Sequence, residues 1–167
     1  MNEILIYGIG NPARQDDALG IIFIEKLEKW AVDNLITNLC FDTNYQLNIE
    51  DSASIKEKKL VLFVDASSES VESFSIKKIY PDFNMSISSH HVTPETLLEL
   101  SKELFHKTPS AYLLEIKGYR WKLNKKITLK ALKNLNCAYQ FLTHLIMESQ
   151  TLEDIEKLLS NTTTINY

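Results

Sequence analysis

Carboxylate and imidazole side chains occur in the sequence where an apolar run has just ended or a helix is about to begin. Asp16 and Asp17 follow the run ILIY, Asp65 ends the run KLVLFVD, and His90 and His91 precede the sequence VTPE. Carboxylates that converge repel each other unless a proton or a cation lies between them. Two carboxylates and a neutral imidazole form a ligand set that suits zinc, nickel or iron(II) and leaves positions open for a substrate. These residues predict a metal site if the fold brings them together.

The stretch GIGNPARQDDALG also contains a relaxed form of the glycine pattern of dinucleotide-binding loops. Gly8, Gly10 and Ala13 match that pattern after an apolar run. A pyrophosphate needs free backbone N–H groups and a positive helix end, whereas the two acids bring negative charge and Pro12 removes a donor. We therefore exclude a dinucleotide site here.

Each acid of the pair also has a purely structural interpretation. Asp16 can cap the following helix or form an ion pair with Arg14, and Asp17 can complement the positive end of the helix dipole. Asp65 favours the metal-site interpretation over the structural one, because it is expected to bring a second carboxylate to the same edge of the fold. His91 is expected to face solvent or to orient His90.

Alternating strand and helix patterns supply the elements that position these side chains. Two predicted strands are apolar throughout, as in strands buried on both faces, and the order β-α-β-α-β favours a parallel sheet. We predict an α/β fold of the three-layer α/β/α type, with a mostly parallel sheet of about five strands flanked by helices. Because the carboxyl ends of parallel strands line one edge, Asp17 and Asp65 are expected to converge there, with His90 as the candidate third ligand. The predicted strands are residues 3–8, 39–42, 59–65, 72–80 and 111–116, and the predicted helices are residues 19–30, 52–57, 93–107 and 128–148, with a short one from residue 151.

Bulk composition limits the class of protein. A chain of 167 residues with 44% hydrophobic residues predicts one domain, residues 1–160, with a polar tail at 161–167. The net charge of −4 and a basic set that we expect to be scattered argue against a nucleic-acid partner. The absence of a leader pattern or a long apolar segment predicts a cytoplasmic protein with no membrane contact. Cys40 and Cys137 lack metal-ligand spacing, and we expect both to be small buried residues.

Four segments, taken in order, carry a family resemblance. They are GIGNPARQDDALG, YQL at residues 45–47, VLFVDA at residues 61–66 and SSHHVTPETLLEL at residues 88–100. Together they resemble the hydrogenase maturation proteases, endopeptidases that trim the C-terminal extension from the precursor of the nickel-iron hydrogenase large subunit. The resemblance implies a twisted sheet flanked by helices and a metal triad that maps onto Asp17, Asp65 and His90.

The chain departs from the family pattern at two points. The second acid of the pair is often Glu in the family, whereas here it is Asp17, which is one methylene shorter. Some branches carry a glycine-rich segment where this chain has DTNYQLNIED. We therefore transfer no role to that segment.

The resemblance further implies an endopeptidase whose metal site recognises the nickel already seated in the precursor, with zinc or cadmium as surrogates in vitro. The sequence offers no serine or cysteine nucleophile in a recognised arrangement. Either the nickel polarises the scissile carbonyl or activates a water, held by Asp17, Asp65 and His90, or Asp16 acts as a base. The alternative function is a non-proteolytic, metal-dependent binding module or chaperone for the nickel-loaded large subunit. We expect a monomer whose partner is that precursor.

Overall fold

The computed structural model describes residues 3–69, 73–83 and 92–162. Every predicted strand and helix is present, with ends within about three residues of those predicted. The strands are β1 (Ile4–Ile9), β2 (Leu39–Asn44), β3 (Leu60–Ser67), β4 (Phe74–Ile79) and β5 (Ser110–Lys117). The helices are α1 (Leu19–Asp33), α2 (Asp51–Ile55), α3 (Pro94–Phe105), α4 (Leu129–Glu148) and α5 (Leu152–Thr162), and a short 3₁₀ helix (Gln15–Ala18) precedes α1.

The five strands form one sheet in the order β2-β1-β3-β5-β4. All neighbouring pairs are parallel except β4 and β5, so the predicted mostly parallel sheet is confirmed. In the sheet, β2 lies on one side of β1 and β3 lies on the other side. In such sheets the strand order reverses at this point, and ligands bind outside the carboxyl ends of the two strands. The crevice beyond β1 and β3 is therefore the expected position of a site.

Helices cover both faces of the sheet because the apolar residues of the central strands alternate between two cores. Ile4 and Ile6 of β1 pack in the core formed with α1, α4 and α5. Leu5 and Tyr7 pack in the opposite core, formed with α2 and α3. This alternation produces the predicted three-layer α/β/α arrangement.

Two helices begin at threonine residues, as the sequence predicts. The Thr93 hydroxyl oxygen accepts a hydrogen bond from the N–H of Thr96 at 3.2 Å, and proline occupies the first helical position. The Thr128 hydroxyl oxygen accepts from the N–H of Ala131 at 3.2 Å at the start of α4. Both caps satisfy backbone donors that a helix start leaves unpaired.

Two smaller predictions are wrong. Cys137 is exposed on the outer side of α4 and Cys40 is only partly buried, since its strand, β2, lies at the edge of the sheet. Residues 161 and 162, predicted to be tail, belong to α5, and the Thr162 hydroxyl donates to the Leu158 carbonyl at 2.8 Å in the last turn. Among the described residues, no helix has the length and apolar character that crossing a bilayer requires.

Candidate functional site

Glycines let the chain after β1 turn tightly against the start of α1. Gly10 has a φ of +142°, and a side chain on it would collide with the backbone carbonyl of Asp17. A side chain on Gly20 would collide with the carbonyl oxygens of Ile9 and Val64. The glycines of the sequence motif therefore bring Asp17 against the carboxyl end of β1.

The structure brings Asp17 and Asp65 together in one cavity. Asp17 lies in the 3₁₀ helix that follows β1, and Asp65 lies near the carboxyl end of β3. Both line a cavity of about 650 Å³ at the switch point between these strands. Within the described residues, the Asp17 carboxylate accepts no hydrogen bond and forms no ion pair, whereas Asp65 accepts one from the N–H of Ala66 at 2.7 Å. Each carboxylate thus retains free oxygen lone pairs toward the cavity.

The pKa of Asp65 reflects its burial and the carboxylates near it. Burial raises the pKa of the Asp65 carboxyl from its usual 3.8 to about 7, although the N–H of Ala66 lowers it. The neighbouring carboxylates of Asp17 and Glu115 raise the pKa further. Without a cation, Asp65 therefore binds a proton far more readily near neutral pH than an ordinary aspartate does.

Loops on the α3 side of the sheet form the remaining walls of the cavity. Tyr45 and Leu47, in the YQL segment, lie on one side, and Val92 and Pro94 lie on the other. Leu47 and Val92 form an isolated antiparallel bridge, which joins the two loops beside the carboxylates. The cavity therefore contains two carboxylates and has both apolar and polar residues in its walls.

Both candidate histidines, His90 and His91, lie outside the described residues. In the described part of the chain, no group of three His, Cys, Asp or Glu side chains is arranged to hold a metal ion. The Asp17–Asp65 pair is therefore the described portion of the predicted triad, and His90 as the third ligand stays a prediction.

Asp16 has a different environment from the one predicted for it. It caps neither the 3₁₀ helix nor α1, and no ion pair joins it to Arg14 among the described residues. Its carboxylate is fully buried and accepts hydrogen bonds from the N–H groups of Tyr119 and Arg120, at 2.8 and 3.1 Å. Thr128 donates two more, from its N–H at 2.7 Å and from its hydroxyl at 2.9 Å. The cap and ion-pair interpretations are wrong, because these more distant donors satisfy the carboxylate.

Asp16 therefore ties the motif after β1 to the loop between β5 and α4. Its own N–H donates to the carbonyl of Arg120 at 3.1 Å, which adds a backbone link between the same two segments. Asp16 is absent from the described lining of the cavity that holds Asp17 and Asp65. The two adjacent acids thus point to different surroundings.

Two further residues lie near the cavity, and the sequence predicts a place in the site for neither of them. Arg14 lines the cavity and its Nε donates to the carbonyl of Trp121 at 3.5 Å. Glu115 on β5 is in register with Asp65 and forms an ion pair with Lys77 at 3.3 Å. An acidic residue near the carboxyl end of an apolar strand is the same signal that identifies Asp65, so the sequence contained the information for Glu115.

Known proteins match this chain in three-dimensional structure, whereas comparison of sequences finds no match. No protein-family model matches the sequence, and no characterised protein matches it by sequence. Three similar solved structures are hydrogenase maturation enzymes by description. The maturating endopeptidase HybD from E. coli has 17% identity and a TM-score of 0.69, covering 89% of this chain and 94% of that one.

The other two structures are archaeal. The [NiFe] hydrogenase maturation protease HycI from Thermococcus kodakarensis KOD1 has 21% identity and a TM-score of 0.61, covering 86% of this chain and 91% of that one. The hydrogenase 2 maturation peptidase from a Thaumarchaeota archaeon has 14% identity and a TM-score of 0.60, with 86% and 97% covered. The chain therefore has the fold of these peptidases over most of its length.

Proposed function

We propose that the chain is an endopeptidase that removes the C-terminal extension from the precursor of a nickel-iron hydrogenase large subunit after nickel insertion. One observation carries the proposal. Asp17 and Asp65 converge in an open cavity at the switch point of a sheet whose fold is that of hydrogenase maturation peptidases. The ordered sequence motifs, which include both acids, give independent support.

The shape of the cavity suits a peptide segment. A volume of about 650 Å³ falls within the usual range for ligand sites. Leu47, Val92 and Pro94 offer apolar surface to side chains, and Tyr45, with 63% of its surface exposed, stands at the rim. A segment extending from a folded protein can enter such a site without the whole protein being enclosed.

The ligand set suits the nickel of the precursor. In this proposal the nickel belongs to the substrate, and Asp17 and Asp65 supply two carboxylate oxygens to it. His90 supplies an imidazole, which would complete a set of nitrogen and oxygen ligands compatible with nickel or zinc. In the sequence, His90 precedes the cavity-lining residue Val92 by two positions.

The proposed chemistry assigns separate tasks to the two adjacent acids. Asp17, with Asp65 and His90, binds the precursor's nickel beside the scissile bond, where the ion can polarise the carbonyl or activate a water. Asp16, whose carboxylate accepts four hydrogen bonds, holds the β5–α4 loop against the 3₁₀ helix. We propose this positioning role for Asp16 in preference to that of a base, which needs a free lone pair facing the substrate.

Cleavage of the nickel-loaded precursor by matched variants tests the proposal. Asp17→Asn and Asp65→Asn should each lower the rate at least about a hundredfold, because each removes a charged ligand oxygen. Asp33→Asn removes an exposed carboxylate at the end of α1 and should leave the rate within about twofold of the wild type. Mass spectrometry of the precursor measures the loss of the extension. If the wild-type protein binds the loaded precursor without cleaving it, the protein is the binding module of the alternative hypothesis.

A further inference from the structure

A dense group of basic residues lies in and beside the β5–α4 loop. Residues 116–147 contain seven lysine or arginine residues and no aspartate or glutamate, although the whole chain has 18 basic and 22 acidic residues. The expectation that basic residues are scattered is therefore wrong. We call five exposed members of this group the basic face: Arg120, Lys122, Lys125, Lys126 and Lys130.

The fold gathers the basic face around one buried side chain. Arg120 and Lys130 line a shallow groove that includes Gln15, and Lys125 and Lys126 line a second groove that also includes Gln15. The N–H of Lys122 donates to the Gln15 side-chain oxygen at 3.3 Å. Among the described residues, no carboxylate forms an ion pair with any of the five cations.

The basic face adjoins the cavity that contains the two acids. Arg14 lines that cavity, and its Nε donates to the carbonyl of Trp121 in the loop. The N–H of Asn124 donates to the carbonyl of Ala13 at 2.8 Å, one residue from Arg14. Together with the hydrogen bonds of Asp16, these contacts fix the loop beside the mouth of the cavity.

Large apolar side chains stand among the cations. Tyr119, Leu123 and Leu129 have 40%, 66% and 79% of their surface exposed. A mixture of cations and exposed apolar side chains is typical of a protein-binding surface, where apolar contacts supply affinity and charges supply orientation. The arrangement therefore favours a protein partner with an acidic surface.

We propose that the basic face docks an acidic surface of the folded precursor while its C-terminal segment occupies the cavity. This inference rests on the proposed function, because it identifies the partner with the substrate. A folded substrate must cover the surroundings of the cavity that receives its extension. The uncompensated cations beside that cavity then select a precursor whose neighbouring surface carries carboxylates, and they accelerate its association.

A pair of charge-matched double variants tests the proposal by direct binding of the nickel-loaded precursor. Lys125→Glu/Lys126→Glu should weaken binding by at least about tenfold at low ionic strength. Lys29→Glu/Lys157→Glu makes the same change in net charge on exposed residues of α1 and α5, and should weaken it by less than about twofold. In about 1 M salt, where screening acts over about 3 Å, the difference between the variants should largely disappear.

Other outcomes would overturn the docking proposal. Equal binding by the two double variants would remove the basic face from the interface. Tighter binding of a single-stranded oligonucleotide than of the precursor, lost in Lys125→Glu/Lys126→Glu, would identify a nucleic-acid surface instead. A change of oligomeric state in that variant, measured by sedimentation, would indicate a contact between two copies of the chain. If the wild type binds the precursor through this face and never cleaves it, the docking proposal holds and the proposed peptidase function fails.

Discussion

Replacing Asp16 by asparagine tests whether this residue is the structural link that its hydrogen bonds indicate. In Asp16→Asn the amide oxygen can take the position of Oδ2, which accepts from the N–H groups of Tyr119 and Arg120 and from the Thr128 hydroxyl. The amide nitrogen would then occupy the position of Oδ1, which accepts from the N–H of Thr128 at 2.7 Å. A backbone donor would then face a second donor in a fully buried site.

The cost follows from the bonds that are lost. A hydrogen bond to a charged acceptor contributes about 1.5–3 kcal/mol; one such bond would be lost in a buried site, and the other three would then be accepted by a neutral oxygen. We therefore expect Asp16→Asn to lower the free energy of unfolding by about 3 kcal/mol. For a chain of this size that corresponds to a fall in Tm of about 6–12 °C. If Asp16 were a helix cap, Asp16→Asn would change the free energy of unfolding little, since asparagine and aspartate are nearly equivalent at that position.

Asp17→Asn is the matched control, because it makes the same chemical change one residue away. The Asp17 carboxylate has no hydrogen-bond partner among the described residues and raises the pKa of Asp65, so its neutralisation should leave Tm unchanged or raise it. Thermal unfolding followed by circular dichroism measures both variants in the absence of metal. An Asp16→Asn protein that unfolds within about 1 °C of the wild type would refute the assigned role.

Three further changes have expected outcomes. The pKa of Asp65 is about 7 in the folded metal-free protein and about 3.8 in the unfolded chain, so folding takes up a proton between these pH values. The free energy of unfolding therefore falls as the pH rises from about 4 to 7. Asp65→Asn should remove up to about 4 kcal/mol of this fall, measured by urea unfolding at several pH values. For Asp154, hydrogen bonds from Thr151 lower the pKa, so stability is instead lost as the pH falls through the folded pKa, and Asp154→Asn should remove that acid-side loss in the same assay. Gly10→Ala should lower Tm and abolish processing, because its side chain would collide with the Asp17 carbonyl; a fully active, equally stable variant would show that the turn can relax.

The sequence predicts the elements of this fold well because their signals are local. An apolar run predicts the buried strand β3, and a threonine followed by proline predicts the start of α3. The convergence of Asp17 and Asp65 is also predictable, since the parallel order of the strands brings their carboxyl ends to one edge.

The role of Asp16 is not predictable in this way. Its partners Tyr119, Arg120 and Thr128 are more than 100 positions away in sequence. No local pattern connects a motif after the first strand to a loop before the fourth helix. From the sequence alone, an aspartate at a turn is therefore interpreted as a helix cap. The donors that bind Asp16 become apparent only in the tertiary structure.

The position of the basic face, like the role of Asp16, depends on contacts between residues that are distant in sequence. Its charge bias is visible in the sequence, but its position beside the cavity depends on contacts such as that of Arg14 with Trp121. Charge counting over the whole chain hides the bias, because the remaining acids outnumber the remaining bases.

The central claim is that this chain cleaves a hydrogenase large-subunit precursor only after nickel has been inserted. The most direct measurement is mass spectrometry of the purified precursor, nickel-loaded or metal-free, after incubation with the wild-type protein. We predict loss of the C-terminal extension from the nickel-loaded precursor and an unchanged mass for the metal-free form. Equal processing of both forms would contradict recognition of nickel by Asp17 and Asp65, and an unchanged mass for both would contradict the peptidase function itself.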